Sequence, residues 1–151
     1  LNITEHFTLE ELTNTSHRNI LNVPTDYVII NLGRLANELE KVRTRLGFPI
    51  FISSGYRSPE LNELVGGSKT SAHLSGLAAD FICPRYGDPL AICKDLINSN
   101  IQFDQLIWEY SRWVHFGIAV NNGRKPRRQV LTIHSQAEGY LPGLQAKEVE
   151  L

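Results

Sequence analysis

One face of a long segment constrains the fold more than any other feature of the chain. Beyond Pro24, apolar residues recur at Val28, Leu32, Leu35, Leu39, Val42 and Leu46. That alternation of four- and three-residue steps draws one stripe down an α-helix, and the stripe is read as core packing. Gly47 supplies the left-handed stop for such a helix. A shorter helix is expected upstream, where Thr8 can cap, Glu11 can complete a capping box and Phe7 can staple to Leu12.

The rest of the chain alternates β-prone runs with short helical signals. Residues 49–53 form an apolar run bounded by turn residues and are read as a buried strand; residues 59–65 suit a short helix and residues 66–71 a loop. Residues 77–83 resume as a strand ending at Pro84. Asp88 followed by Pro89 opens a helix whose apolar face is Leu90, Cys93, Leu96 and Ile97. Residues 105–110 and 114–120 read as two antiparallel strands joined by a tight turn around Ser111 and Arg112. Asn121, Asn122 and Gly123 signal a turn, and residues 129–133 a closing strand. From Gln136 the pattern dissolves into glycine, proline and charge. The expected architecture is α+β, with helices packed on a small, mostly antiparallel sheet. One domain over residues 1–135 is followed by a loosely ordered tail over residues 136–151.

Composition narrows the function classes. A chain of 151 residues favours one domain, able to bury about two-thirds of the surface its unfolded form exposes. A formal net charge of −1 argues against a general nucleic-acid binder. No apolar run of about 18 residues exists, so no membrane span is expected. The start lacks a basic and then apolar leader, yet the chain begins at Leu1 without methionine, so a removed leader leaves secretion open. Cys83 and Cys93 have no zinc-motif spacing and are read as buried thiols.

The chemistry concentrates in residues 54–80. His73 and Asp80 stand seven apart with Ser75, Gly76, Ala78 and Ala79 between them, and His115 lies downstream in Trp-Val-His-Phe-Gly. Two histidines and one aspartate make the three-ligand shell of a catalytic zinc whose fourth position is open to water. Asp80 on a strand and His73 on the loop before it can converge on one ion. The bland alternative is a surface histidine and a solvated aspartate; the small residues between them suggest a backbone crowded against something bound. Strand alternation puts Val114, Phe116, Ile118 and Val120 on one face, with His115 and Gly117 on the other.

Glu109 is the candidate general base, with Asp104 in reserve. Parity sets a condition: a two-residue turn would send Glu109 away from the side of His115, whereas a three-residue turn or a bulge brings both to one face. Arg57 is the candidate electrophile, able to polarise a carbonyl or hold a carboxylate. Residues 124–128, Arg-Lys-Pro-Arg-Arg, form a basic cluster read as an exposed hairpin end.

Ser-Gly-Tyr-Arg57-Ser, the run from Gly66 through His73 to Asp80, and Asp104-Gln-Leu-Ile-Trp-Glu109 followed by Trp-Val-His115 occur in this order. Together, over residues 3–133, they resemble the zinc D-Ala-D-Ala carboxypeptidases and the related phage peptidoglycan endopeptidases. The resemblance implies the Hedgehog/D,D-peptidase fold, one zinc held by His73, Asp80 and His115, a carboxylate base, and an arginine, here Arg57, that stabilises the oxyanion. Ser71, Tyr56 and Gln105, in the same motifs, are expected to contact substrate. Many members place the catalytic acid three residues before the last histidine; that position is Arg112 here, and Glu109 is the nearest substitute. The implied function is hydrolysis of amide bonds in peptidoglycan stem peptides by a monomer, either trimming terminal D-Ala or cutting inside the stem. Such a protein is cytoplasmic until release if phage-derived, and otherwise periplasmic or extracellular. The competing reading is a non-catalytic zinc domain that binds cell wall or protein.

Overall fold

A computed structural model describes residues 1–147 and contains the expected long helix. Helix α1 (Leu9–Thr13) opens with the Thr8/Glu11 capping box. Helix α2 (Asp26–Leu46) buries all six residues of the stripe; Thr25 caps its start, and Gly47, at φ 77°, ends it by returning its N–H to the Arg43 carbonyl. Two further helices, α3 (Pro59–Leu64) and α4 (Pro89–Ile97), each start on a side-chain cap followed by proline. A 3₁₀ turn spans Ala72–Ser75.

Among the described residues six strands form one mixed sheet: β1 (Phe51–Ser54), β2 (Ala78–Ile82), β3 (Gln105–Glu109), β4 (Trp113–Gly117), β5 (Gln129–Ile133) and β6 (Tyr140–Pro142). Their spatial order is β1-β2-β4-β3-β5-β6. Every pairing is antiparallel except β3 with β5. Directly paired residues share a face, so the register sorts the sheet into two sides. Ala79, Phe81, Leu106, Trp108, Val114 and Phe116 join the core with α2 and α4. Asp80, Gln105, Ile107, Glu109, Trp113, His115, Leu131 and Tyr140 look out of the other side into a cleft. The class is α+β as expected, with both cysteines buried and free. No helix among the described residues is long and apolar enough to cross a membrane.

Several expectations need correction. The first strand is not buried: β1 pairs only with β2, and Phe51 is 56% exposed on that edge. The fifth strand does not close a hairpin but lies parallel to β3. The chain reaches it through residues 118–128, where Arg128 holds the carbonyls of Ile97, Ser99 and Ile101 beyond α4 and stacks over Phe103. Arg127 grips Asp104, so half of the basic cluster is structural rather than a free hairpin end. The tail from Gln136 is ordered through β6, whose Tyr140 pairs with Ile133; residues 148–151 of that tail lie outside the described residues.

Candidate metal centre and cleft

Local geometry sets each side chain of the centre. Asp80 on β2 and His115 on β4 are direct cross-strand partners. His73 comes from the 3₁₀ turn, where its own N–H donates to the capping Ser71 hydroxyl. The turn ends at Gly76, at φ 72°, where a Cβ would lie 2.9 Å from both Cγ1 and O of Val28. The small residue there answers to close packing against α2, not to a bound ligand, which corrects that part of the sequence argument. Gly55, just after β1, is similarly constrained: a Cβ would sit 2.3 Å from the Leu12 carbonyl oxygen. Its own carbonyl accepts from His73 Nδ1 at 2.7 Å. A carbonyl can only accept, so His73 carries its proton on Nδ1 and presents a bare Nε2.

That Nε2, Asp80 Oδ1 and His115 Nδ1 form a near-equilateral triangle with edges of 3.2, 3.0 and 3.2 Å. Donor atoms about 2.0–2.1 Å from a tetrahedral zinc stand about 3.3 Å from one another, so the triangle matches three faces-in ligands of such an ion. Two of the three atoms are pure acceptors, and one hydrogen on His115 Nδ1 could not satisfy both. A cation resolves the excess. His115 Nε2 is buried without a partner; with Nδ1 turned to the centre, the proton of the neutral ring sits on Nε2 as a donor that no protein group accepts. Burial alone would push the Asp80 carboxyl up, but positive charge beside it, at His73 and His115 or on a cation bound between them, outweighs burial and holds the group well below the usual carboxylate range. Among the described residues this is the one cluster of its kind.

The parity condition on Glu109 is met. Tyr110, Ser111 and Arg112 form the turn, with Tyr110 and Ser111 left-handed at φ 55° and 58°, and Glu109 pairs with Trp113. Glu109 therefore shares the cleft face with His115: Oε1 lies 3.7 Å from His115 Nδ1, while Oε2 accepts from the Trp113 indole at 2.8 Å. Burial and the nearby Asp80 carboxylate raise its pKa; His115, the indole bond and Arg57 act against them. Arg112, at the position many relatives use for the acid, is exposed in the turn. Asp104, the reserve base, is engaged by Arg127 through a two-pronged contact that lowers its pKa.

Arg57 is pinned on both sides. Asn22 donates to the Tyr56 carbonyl at 2.9 Å and accepts from the Ser58 N–H at 2.7 Å, and the Arg57 N–H donates to the His73 carbonyl at 3.0 Å. Its guanidinium reaches the Ser71 hydroxyl at 3.3 Å and lines the cleft. Among the described residues no carboxylate lies within ion-pair distance of it. Burial lowers its pKa, opposed by Asp80, Glu109 and Tyr140.

The cleft encloses about 970 Å³. Of the three residues expected to contact substrate, Ser71 and Gln105 line the cleft and Tyr56 does not. Tyr56 is 6% exposed within the core, on the opposite side of the extended chain from Arg57. Three contributors escaped the sequence reading: Asn22, the Trp113 indole and Tyr140. Alternation would have found Trp113, two residues before His115 and on its face; nothing marked Asn22, and Tyr140 fell in the stretch taken for a tail.

Fold and site together define an α+β domain with a candidate metal centre on one face of its sheet, a carboxylate beside it and a cation at its rim. The chain belongs to the peptidase M15 family, whose model matches residues 5–117. The match ends at the last residue of β4, so β5 and β6 lie beyond it. Comparison with curated proteins gives no match.

Proposed function

We propose that this protein is a zinc peptidase of the Hedgehog/D,D-peptidase fold that hydrolyses amide bonds in peptidoglycan stem peptides. The observation that carries the reading is the buried His73-Asp80-His115 triangle with the Glu109 carboxylate 3.7 Å from one of its corners. His73, Asp80 and His115 would hold the ion, which when bound supplies Lewis-acid polarisation and a lowered pKa for water. Glu109, steadied by Trp113, takes the proton from the attacking water and returns it to the leaving nitrogen. Arg57 stabilises the charge that develops on the carbonyl oxygen, its donors fixed by Asn22 and Ser71 rather than spent on a carboxylate. The motifs shared with wall-cleaving carboxypeptidases and endopeptidases support the choice of substrate. An acid on the ligand-bearing face also supports the enzyme over a non-catalytic zinc domain, in which nothing requires Glu109 to face the centre.

Glu109→Gln is the test. The variant keeps the indole bond and the three ligands, so it should retain metal while turnover of purified muropeptides, followed by mass spectrometry, falls by about a hundredfold or more. Near-normal turnover would remove Glu109 from the mechanism.

A further inference from the structure

We infer that the part of the cleft built by β3, β5 and β6 is a platform for an extended peptide, which makes this protein an endopeptidase rather than a trimmer of terminal residues. The inference rests on the peptidase reading above and deepens it. The cleft-facing row through the centre runs Asp80, His115, Ile107, Leu131 from β2 to β5. Three strands, β3, β5 and β6, continue the floor past His115. At about 4.8 Å per strand that floor is about 14 Å long, enough for about four residues of extended chain at about 3.3 Å each.

Its chemistry suits a peptide. Ile107 and Leu131 give an apolar floor. Gln105 and Gln129 join their amides along one flank at 3.0 Å, each with further hydrogen-bonding capacity for a substrate backbone. Tyr140 stands on the other flank, paired to Ile133, which itself pairs with Glu109. On the far side of the centre the cleft continues past Ser54 to Thr15, His17, Ser68 and Thr70, so chain can leave in both directions.

A carboxypeptidase must instead neutralise a terminal carboxylate close to the bond it cuts. Among the described residues, the arginines and lysines lining the cleft are Arg57 and Arg127. Arg127 is already satisfied by Asp104. With Arg57 serving the developing oxyanion, no such cation remains for a terminal carboxylate.

The experiment uses the full chain, loaded with zinc, and stem-peptide fragments of increasing length, each made with a free and with an amidated C-terminus. Amidation should change kcat/KM less than about threefold, whereas losing a shared cation contact costs tenfold or more. Lengthening by two or three residues should raise kcat/KM, and in Leu131→Ala and Tyr140→Ala the ratio between long and short fragments should fall toward one. Calorimetric binding of the same fragments to metal-free protein should strengthen with length in the same order. Cleavage confined to free-carboxylate fragments, or affinity and kcat/KM indifferent to length, would overturn the platform while leaving a peptidase. No cleavage of any fragment would overturn the peptidase reading and this inference with it.

Discussion

His73 and Glu109 each spend one atom on a fixed partner and turn the other toward the centre. The Gly55 carbonyl accepts a hydrogen bond from His73 Nδ1, and the Trp113 indole N–H donates to one oxygen of Glu109. For Glu109 this has a pH consequence. Burial and the Asp80 carboxylate raise its pKa while the indole bond favours the ionised form and opposes the rise. A base acts only when ionised, so hydrolysis should fall as pH drops through this raised pKa. Trp113→Phe removes the opposing bond, so the acid limb of the kcat/KM profile should move to higher pH. A limb that stays in place, or moves to lower pH, would show that the indole does not tune Glu109.

At the scale of elements, Gly55 joins three of them: the end of β1, the last turn of α1 through Leu12, and the 3₁₀ turn through His73. A Cβ cannot fit 2.3 Å from a carbonyl oxygen, so Gly55→Ala must move α1 or the end of β1. Overpacking of this kind costs about 1–3 kcal/mol. If β1 moves, the carbonyl that orients His73 moves with it. The variant should melt earlier and bind zinc more weakly, read by thermal melts with and without metal and by zinc titration. An unchanged zinc affinity beside a lowered melting temperature would show that α1 yields to the clash and the Gly55 carbonyl stays in place. The same scale shows what was legible beforehand. The α2 stripe and the caps at Thr8 and Asp88 follow from local periodicity, which sequence carries directly; the shared face of Glu109 and His115 hung on a turn length that sequence left open and the three-residue turn decided. The parallel pairing of β5 with β3 and the edge position of β1 depend on contacts between distant segments, which periodicity does not encode. The β6 strand is only three residues long and sits among glycine and proline, so nothing in its own sequence outweighed the turn signals around it.

Taken whole, the molecule separates its tasks by sheet face. Helices α2 and α4 cover one side with the apolar core, and the other side is left for the centre and its cleft. The family match accounts for the strands that carry Asp80, Glu109 and His115, while β5 and β6 lengthen the floor beyond it. The His73-Asp80-His115 cluster was readable from residue types and spacing, since each member lies where alternation or a capped turn puts it. The cleft was not, because its far wall comes from Tyr140 and its near wall from residues 14–17, segments with no periodic signal. The account stands on one claim, that the His73-Asp80-His115 triangle holds a zinc ion on which peptide hydrolysis depends. Metal-free protein should be titrated with zinc while cleavage of purified muropeptides is followed by mass spectrometry. The account predicts no cleavage before metal is added, a linear rise to one equivalent per chain and a plateau thereafter. Full cleavage by the metal-free protein, or none at any zinc concentration, would contradict it.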